Sequence, residues 1–406
     1  MRRRPGNRFC FRYVHNCVMP STRSWDIFCT VVDNYGDIGV CWRLARQLAA
    51  ERRLRVRLWV DDLASFRRIC PDIATGQESQ RSHGVEVRWW REPFAAADPA
   101  DVVVEAFACN PPPAYVAAMA ARPRKPVWIN LEYLSAESWV QGCHGLPSPH
   151  PTLPLVKHFF FPGFTAGTGG LLNEPGLEQA RERFQRSHAE QARFWAGLGM
   201  RAARRGELQL SLFCYPQGAI DGLLRAWSAG ATPVRCLVPD GTATDALSSY
   251  FGAESLAPGM SLRKGSLEVR VFPFLDQDQY DRLLWACDMN LVRGEDSFLR
   301  AQWAARPLLW QIYPQQEAAH WPKLLAFLGL YCAGLPPELA APVKRLWEAW
   351  NQGDAAGTEA AWPGYWEKRL ALQVHARDWA AGLGGTGNLA NNLAQFCENL
   401  LKYRAL

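Results

Sequence analysis

The chain has 406 residues, of which 48% are hydrophobic and 12% aromatic, enough to bury sizeable cores and long enough for two or three domains. Its formal net charge of +6 belongs to the first 24 residues, where Arg2, Arg3, Arg4, Arg8, Arg12 and Arg23 stand without an acid; the body that follows carries 39 basic and 39 acidic side chains and is neutral, whereas a nucleic-acid binding module would need a basic patch. Twelve cysteines without a C-x-x-C pair argue against a zinc site or a disulfide framework, and no run of eighteen apolar residues reads as a membrane span, so a reduced, cytoplasmic protein is expected.

Residues 1–24 read as a disordered basic extension without the apolar core of a secretory signal. Met19 stands just before the first strand, so a translation start there, with 1–18 an upstream over-extension, is weighed beside a nucleic-acid arm or a targeting peptide. A strand is predicted over 25–32, a turn holding Gly36 and Gly39, and a helix over 40–50. Further strands follow over 54–60, 85–89, 101–106 and 127–131. Strands alternating with helices imply a parallel sheet covered on both faces.

A Pro/Gly-rich passage over 147–170 separates this half from the next, followed by a charged helix around 177–198. A second α/β unit has strand candidates over 208–214, 234–238, 267–272, 288–292 and 307–312, with helices such as 277–286 and 315–328 between them. Helical segments near 342–350, 365–381 and 389–403 close the chain. Two doubly wound units enclose a cleft, and ligands in such sheets sit beyond the carboxyl ends of the strands. The loops 33–39 and 293–297 both follow strands, one in each unit, so they are expected to face each other.

The segment 288–298 (DMNLVRGEDSF) reads as a buried strand, a glycine hinge and a helix start. Free backbone N–H groups and the helix dipole favour an anion there, so the amides and Ser297 are expected to face a diphosphate, with Glu295 and Asp296 turned to a sugar or an acceptor. Simple helix capping by Glu295, Asp296 and Ser297 is the competing reading. The loop 33–39 (DNYGDIG) is neither a G-x-G-x-x-G fingerprint nor a P-loop. It offers two carboxylates, Asp33 and Asp37, on a tight turn; they suit proton acceptance or acceptor orientation, or else an N-cap and a turn former. Tyr215, Phe274, Gln277 and Tyr313 follow strands of the second unit, where aromatics stack on a base or simply pack the core. No His/Cys/Asp cluster has metal-ligand spacing, which favours cation-independent handling of a diphosphate.

Four segments, WDIFCTVVDNYGDIGVCWRLARQLA, INLEYLSAESWV, FFFPGFTAGTGGLL and NLVRGEDSFLRAQWAARPLLWQIYPQQEAAH, resemble in sequence and order the bacterial protein-arginine rhamnosyltransferases of translation elongation factor P, from about Trp25 to the C-terminus. The resemblance implies an α/β fold of GT-B architecture, two Rossmann-like doubly wound domains facing across a cleft. Its expected divisions are a basic extension (1–24), an acceptor-binding domain (25–175), a nucleotide-sugar-binding domain (176–362) and C-terminal helices (363–406) packing back on the first. It implies an inverting, metal-independent transfer of L-rhamnose from dTDP-β-L-rhamnose to one arginine of the factor, with no cofactor, no direct nucleic-acid contact and no membrane. By the same resemblance Asp37 is the general base, Asp33 and Glu295 share the catalytic work, and Tyr215, Phe274, Gln277, Arg293, Asp296, Ser297 and Tyr313 bind the donor. Another GT-B enzyme with a small-molecule or lipid-linked acceptor is the alternative.

The acceptor is chemically demanding. A guanidinium has a pKa above about 12 and delocalised lone pairs, so a carboxylate takes its proton only as the C–N bond forms. Two or three carboxylates suit such a cationic acceptor.

Overall fold

The computed structural model describes residues 23–403 except Asn34, Ala95, Gln217 and Gly218. The expectations for residues 1–22, including the start at Met19, lie outside the described residues. Strand β1 opens at Ser24, one residue inside the predicted extension.

Among the described residues the first unit has eight strands: β1 (Ser24–Cys29), β2 (Arg55–Val60), β3 (Ser79–Ser82), β4 (Val85–Trp89), β5 (Val102–Ala106), β6 (Val127–Leu131), β7 (Pro147–Pro149) and β8 (Val156–Phe160). They lie in the order β3-β4-β2-β1-β5-β6-β8-β7, parallel from β4 to β8 with antiparallel β3 and β7 at the edges. The central strands β5 and β6 are buried along their whole length, as a sheet covered on both faces requires.

The second unit has, among the described residues, six strands: β9 (Leu208–Leu212), β10 (Val234–Pro239), β11 (Ser261–Lys264), β12 (Leu267–Phe272), β13 (Met289–Arg293) and β14 (Leu308–Gln311), in the order β11-β12-β10-β9-β13-β14. In both sheets the first parallel strand sits centrally and the winding reverses beside it, between β1 and β5 and between β9 and β13. Those reversals are where doubly wound sheets open a crevice for ligands.

Several predicted boundaries move, each for a local reason. The first strand ends at Cys29 rather than at 32, because the N–H groups of Val31 and Val32 are taken by the side chains of Asp61 and Asp37 instead of a neighbouring strand. The passage over 147–170 does not merely separate the halves; it supplies β7 and β8 to the first sheet. Its signal was weak because Pro147 and Pro149 are themselves two of the three residues of edge strand β7, and most of Val156–Phe160 is only partly buried. The predicted helix over 177–198 is two helices, Leu177–Arg186 and His188–Gly197, broken at Ser187, whose hydroxyl caps the second. The helix predicted to begin at 315 begins at His320, after a turn in which Glu317 has a φ of +52°.

A returning helix and a network of ion pairs are among the features that join the units. Helix Leu389–Tyr403 lies against helix Gly36–Arg52 and β6, with Phe396 among Phe160, His144 and His158. The preceding helix, Arg369–Leu383, packs instead on helix Asp296–Trp303 of the second unit, where Trp379 Nε1 donates to Gln302. The second join is ionic. Arg43, 1% exposed on helix Gly36–Arg52, donates to both oxygens of Asp281, to Glu174 and to Asp296. Arg300 grips Asp281 and Glu174 from the other side. Two facing doubly wound units with a final helix returned to the first constitute the GT-B architecture.

Candidate active site

The loop after β1 is folded by its own carboxylates. Gly36 N–H donates to the Asp33 carbonyl at 2.8 Å, which closes the turn and starts helix Gly36–Arg52. Asp37 stands in the first turn, 3% exposed. It is not an N-cap: Tyr35 holds that position without a side-chain hydrogen bond. Instead Asp37 Oδ2 accepts from the N–H groups of Val32 and Asp33 at 2.9 and 2.8 Å, and Oδ1 accepts from the Tyr133 hydroxyl at 3.4 Å. Burial raises the Asp37 pKa, against the pull of those donors.

Asp33 reaches the other unit. Its Oδ2 accepts from the Tyr215 hydroxyl, and its Oδ1 is buried without a partner. Burial pushes its carboxyl up to about 6; Tyr215 and Arg293 oppose the shift, while Asp37 and Glu295 add to it. The close approach depends on Gly294, whose φ is +62°: a Cβ there would stand 2.6 Å from Asp33 Oδ2.

Beyond Gly294 begins helix Asp296–Trp303. Glu295 occupies the cap position, yet its side chain does not cap. Oε1 accepts from Lys323 Nζ at 2.8 Å and Oε2 from Leu134 N–H of the first unit at 3.1 Å. Burial raises the Glu295 pKa in spite of Lys323. Asp296 does not point freely at a sugar: its oxygens are taken by Arg43 Nε at 2.8 Å and Gln277 Nε2 at 3.1 Å. The Ser297 hydroxyl donates back to the Arg293 carbonyl. The Arg293 guanidinium lies 4.5 Å from the Phe213 ring centre and 4.6 Å from that of Tyr215.

Between these loops is a cavity lined by Asp33 and Tyr35 from one unit and by Phe213, Phe274, Gln277, Tyr280, Arg293, Asp296 and Ser297 from the other. The Gln277 amide is fixed within it. Its N–H groups go to the Gly39 carbonyl and Asp296, both at 3.1 Å, which leaves Oε1 buried and unpartnered as an acceptor. A buried polar atom left without a partner costs about 1–3 kcal/mol, and Asp33 Oδ1 and Gln277 Oε1 are two such acceptors on residues that line the cavity. Phe274 packs on Tyr35 with ring centres 4.6 Å apart and lies under the Arg68 guanidinium at 4.8 Å. Tyr313 is at the rim, 43% exposed, edge-on to Tyr215. Among the described residues no group of three His, Cys, Asp or Glu side chains is arranged to hold a metal ion. No helix among them is long and apolar enough to cross a membrane.

The structure therefore brings together Asp33, Asp37, Glu295, Tyr215, Phe274, Gln277, Arg293, Asp296 and Ser297, with Tyr313 outermost. Sequence reasoning missed Tyr133, Lys323, Arg43 and Tyr280. Tyr133 follows β6 at its carboxyl end, a signal that was available; Lys323 and Arg43 lie on helices whose local pattern says nothing of their partners.

Residues 25–398 match the family described as Elongation-Factor P (EF-P) rhamnosyltransferase EarP. Protein-arginine rhamnosyltransferases of Pseudomonas putida and Pseudomonas aeruginosa are each 51% identical to this chain over 378 residues, covering 93% of it and 99% and 100% of their own lengths. One from Neisseria meningitidis is 34% identical over 390 residues, covering 93% of this chain and 98% of its own. A solved structure described as the structural basis for EarP-mediated arginine glycosylation of translation elongation factor EF-P superposes with a TM-score of 0.67 at 37% identity, covering 93% of this chain and 99% of that one.

Proposed function

The chain belongs to the family of elongation-factor P rhamnosyltransferases, glycosyltransferases that place rhamnose on a protein arginine, and on that premise we propose that it transfers L-rhamnose from dTDP-β-L-rhamnose to one arginine of translation elongation factor P, with inversion and without a metal ion. The observation that carries the reading is the meeting of Asp33, Asp37 and Glu295, from two units, beside a cavity whose far wall is aromatic and cationic.

The donor's nucleotide fits the second unit. Phe274 offers a face for the base, Gln277 Oε1 accepts a hydrogen bond from the nucleoside, and Arg293 with the amides of helix Asp296–Trp303 faces the diphosphate. Ser297 and Tyr313 turn their hydroxyls to phosphate oxygens when the donor is bound. The acceptor guanidinium enters from the first unit and is held by carboxylates. One of its nitrogens attacks the anomeric carbon from the side opposite the diphosphate, the C–O bond to dTDP breaks as the C–N bond forms, and the displaced proton passes to Asp37. Direct displacement inverts the anomeric centre. The charge gathering on dTDP is met by Arg293 and the helix N-terminus, groups already in place before the reaction. Tyr215 fixes Asp33 as the second carboxylate on the acceptor.

Incubation with dTDP-rhamnose and elongation factor P, followed by peptide mass mapping, tests this directly. Added rhamnose on one arginine, undiminished by EDTA, is the expected result. Absence of transfer overturns the donor and acceptor; loss on chelation with rescue by Mg²⁺ or Mn²⁺ overturns metal independence alone.

A further inference from the structure

We infer that Lys323 and Tyr133 are positioning residues for the transfer: they hold Glu295 and Asp37 as one acidic pair spanning the two units, into which the acceptor's guanidinium fits beside a retained Lys323. This rests on the acceptor being an arginine side chain, as proposed above.

The geometry starts from two consecutive residues after β6. Tyr133 donates its hydroxyl to Asp37 Oδ1 at 3.4 Å, and Leu134 donates its N–H to Glu295 Oε2 at 3.1 Å. One short segment of the first unit thus touches both carboxylates and sets their separation. Lys323, in the first turn of helix His320–Cys332 of the second unit, closes the arrangement. Its ammonium is 2.8 Å from Glu295 Oε1 and 5.3 Å from the centre of the Tyr133 ring, so one cation binds the carboxylate and the ring that orients the other carboxylate. The Tyr133 ring is held in turn by stacking on Phe107, with centres 4.4 Å apart and planes 14° apart. Phe107 and Ala108 both have left-handed backbones, with φ of +56° and +54°, and Asn110 follows at +51°. Such conformations are costly for non-glycine residues and persist where surrounding contacts over-determine them.

Charge balance decides that Lys323 stays rather than yields its place. The carboxylates of Asp33, Asp37 and Glu295 face the cations Arg293 and Lys323, with Glu132 adding a further negative field on Glu295. With the donor bound Arg293 serves the diphosphate, which leaves Lys323 against the three site carboxylates and an excess of negative charge for the guanidinium. If Lys323 were displaced, the incoming cation would only replace it and the mismatch would persist. Both oxygens of Glu295 already have a donor, so Glu295 acts on the acceptor through its remaining lone pairs and its field. That places the burden of alignment on Lys323 and Leu134.

The test compares Lys323→Met, Lys323→Arg and Tyr133→Phe with the wild type, in single-turnover transfer of rhamnose to elongation factor P over a range of pH. Lys323→Met is expected to lower the rate by about tenfold or more and to move the acid limb of the profile upward, with dTDP-rhamnose affinity by calorimetry unchanged; Lys323→Arg restores most of the rate. Tyr133→Phe keeps the ring and its stacking and loses about three- to tenfold in rate. A carboxyl ¹³C titration of Glu295, assigned with Glu295→Gln and read without substrates, is expected to shift upward in Lys323→Met. A lower acceptor KM with undiminished rate in Lys323→Met would show that Lys323 competes with the acceptor, and equal loss of donor affinity would show a general structural role; either overturns the inference, as does an unmoved Glu295 titration. If the wild type transfers nothing, the proposed function fails, and the titration still decides whether Lys323 governs Glu295.

Discussion

Two clusters of buried charge bridge the units, and they differ in how completely their carboxylates are hydrogen-bonded. In the first, Arg43 and Arg300 face Asp281, Glu174 and Asp296 with paired, short hydrogen bonds. Burial alone would raise Glu174, yet the two guanidiniums outweigh it and hold the carboxyl down to about 2, while Asp296 in the same cluster is raised by its burial in spite of them. In the second, Asp33, Asp37 and Glu295 are all raised, Asp33 to about 6, because burial exceeds what Tyr215, Arg293, Tyr133 and Lys323 return. Both clusters set three carboxylates against two cations; in the first every carboxylate oxygen accepts from a guanidinium or from Gln277, whereas in the second an Asp33 oxygen is unpartnered. A buried set of like charges left under-compensated is a feature of sites that bind or react rather than of joints.

The contrast can be broken most forcefully at Asp37. Asp37→Asn keeps its shape and removes the proton acceptor, so transfer should fall by about 10²–10⁴-fold while dTDP-rhamnose still binds; calorimetry beside single-turnover assays separates the two. Loss of donor binding, or wild-type transfer, would contradict the role assigned to Asp37.

Stability should respond to the clusters with opposite signs. Arg43→Met leaves three carboxylates of the saturated cluster with Arg300 alone and is expected to cost about 3–5 kcal/mol in denaturant unfolding. Asp33→Asn removes a carboxylate from the unsaturated one. The folded pKa of Asp33, about 6, lies above its ordinary 3.8, so the folded state binds the proton more tightly. Its ionisation therefore opposes folding, a cost absent below about 3.8 that accrues as pH rises to about 6. At pH 7.5 Asp33→Asn should stabilise the protein on the order of 1–2 kcal/mol, the partial exposure of the site reducing the effect. Unchanged or lowered stability would show that this cluster is not under-compensated.

The same shift predicts a pH profile. The rate constant kcat/KM should decline as pH falls through about 6, where Asp33 gains its proton and ceases to attract the guanidinium. Tyr215→Phe removes a hydrogen bond that favours the ionised form and should move this limb upward. The smallest expected effect is on the donor side: Ser297→Ala should weaken dTDP-rhamnose binding by about 1 kcal/mol, since its hydroxyl must leave the Arg293 carbonyl before it meets a phosphate.

Much of this molecule was written in local pattern. The strands β4, β6 and β12 and the helix Gln277–Ala286 stand where their periodicity places them, because a strand or helix packed against a core must carry its apolar residues at a fixed spacing. The facing of the loops after β1 and β13 also follows from strand order, since both sheets open at the reversal of their winding. Tertiary structure decided which group each charged side chain meets. Nothing near Asp296 in sequence indicates that Arg43, 253 positions away, holds it, or that Glu295 answers to Lys323 and to the Leu134 amide of the other unit rather than capping its own helix. Propensity and periodicity record the short-range balance of backbone and apolar burial, whereas a carboxylate's partner and its pKa depend on field and desolvation, which only the packed arrangement of distant segments creates.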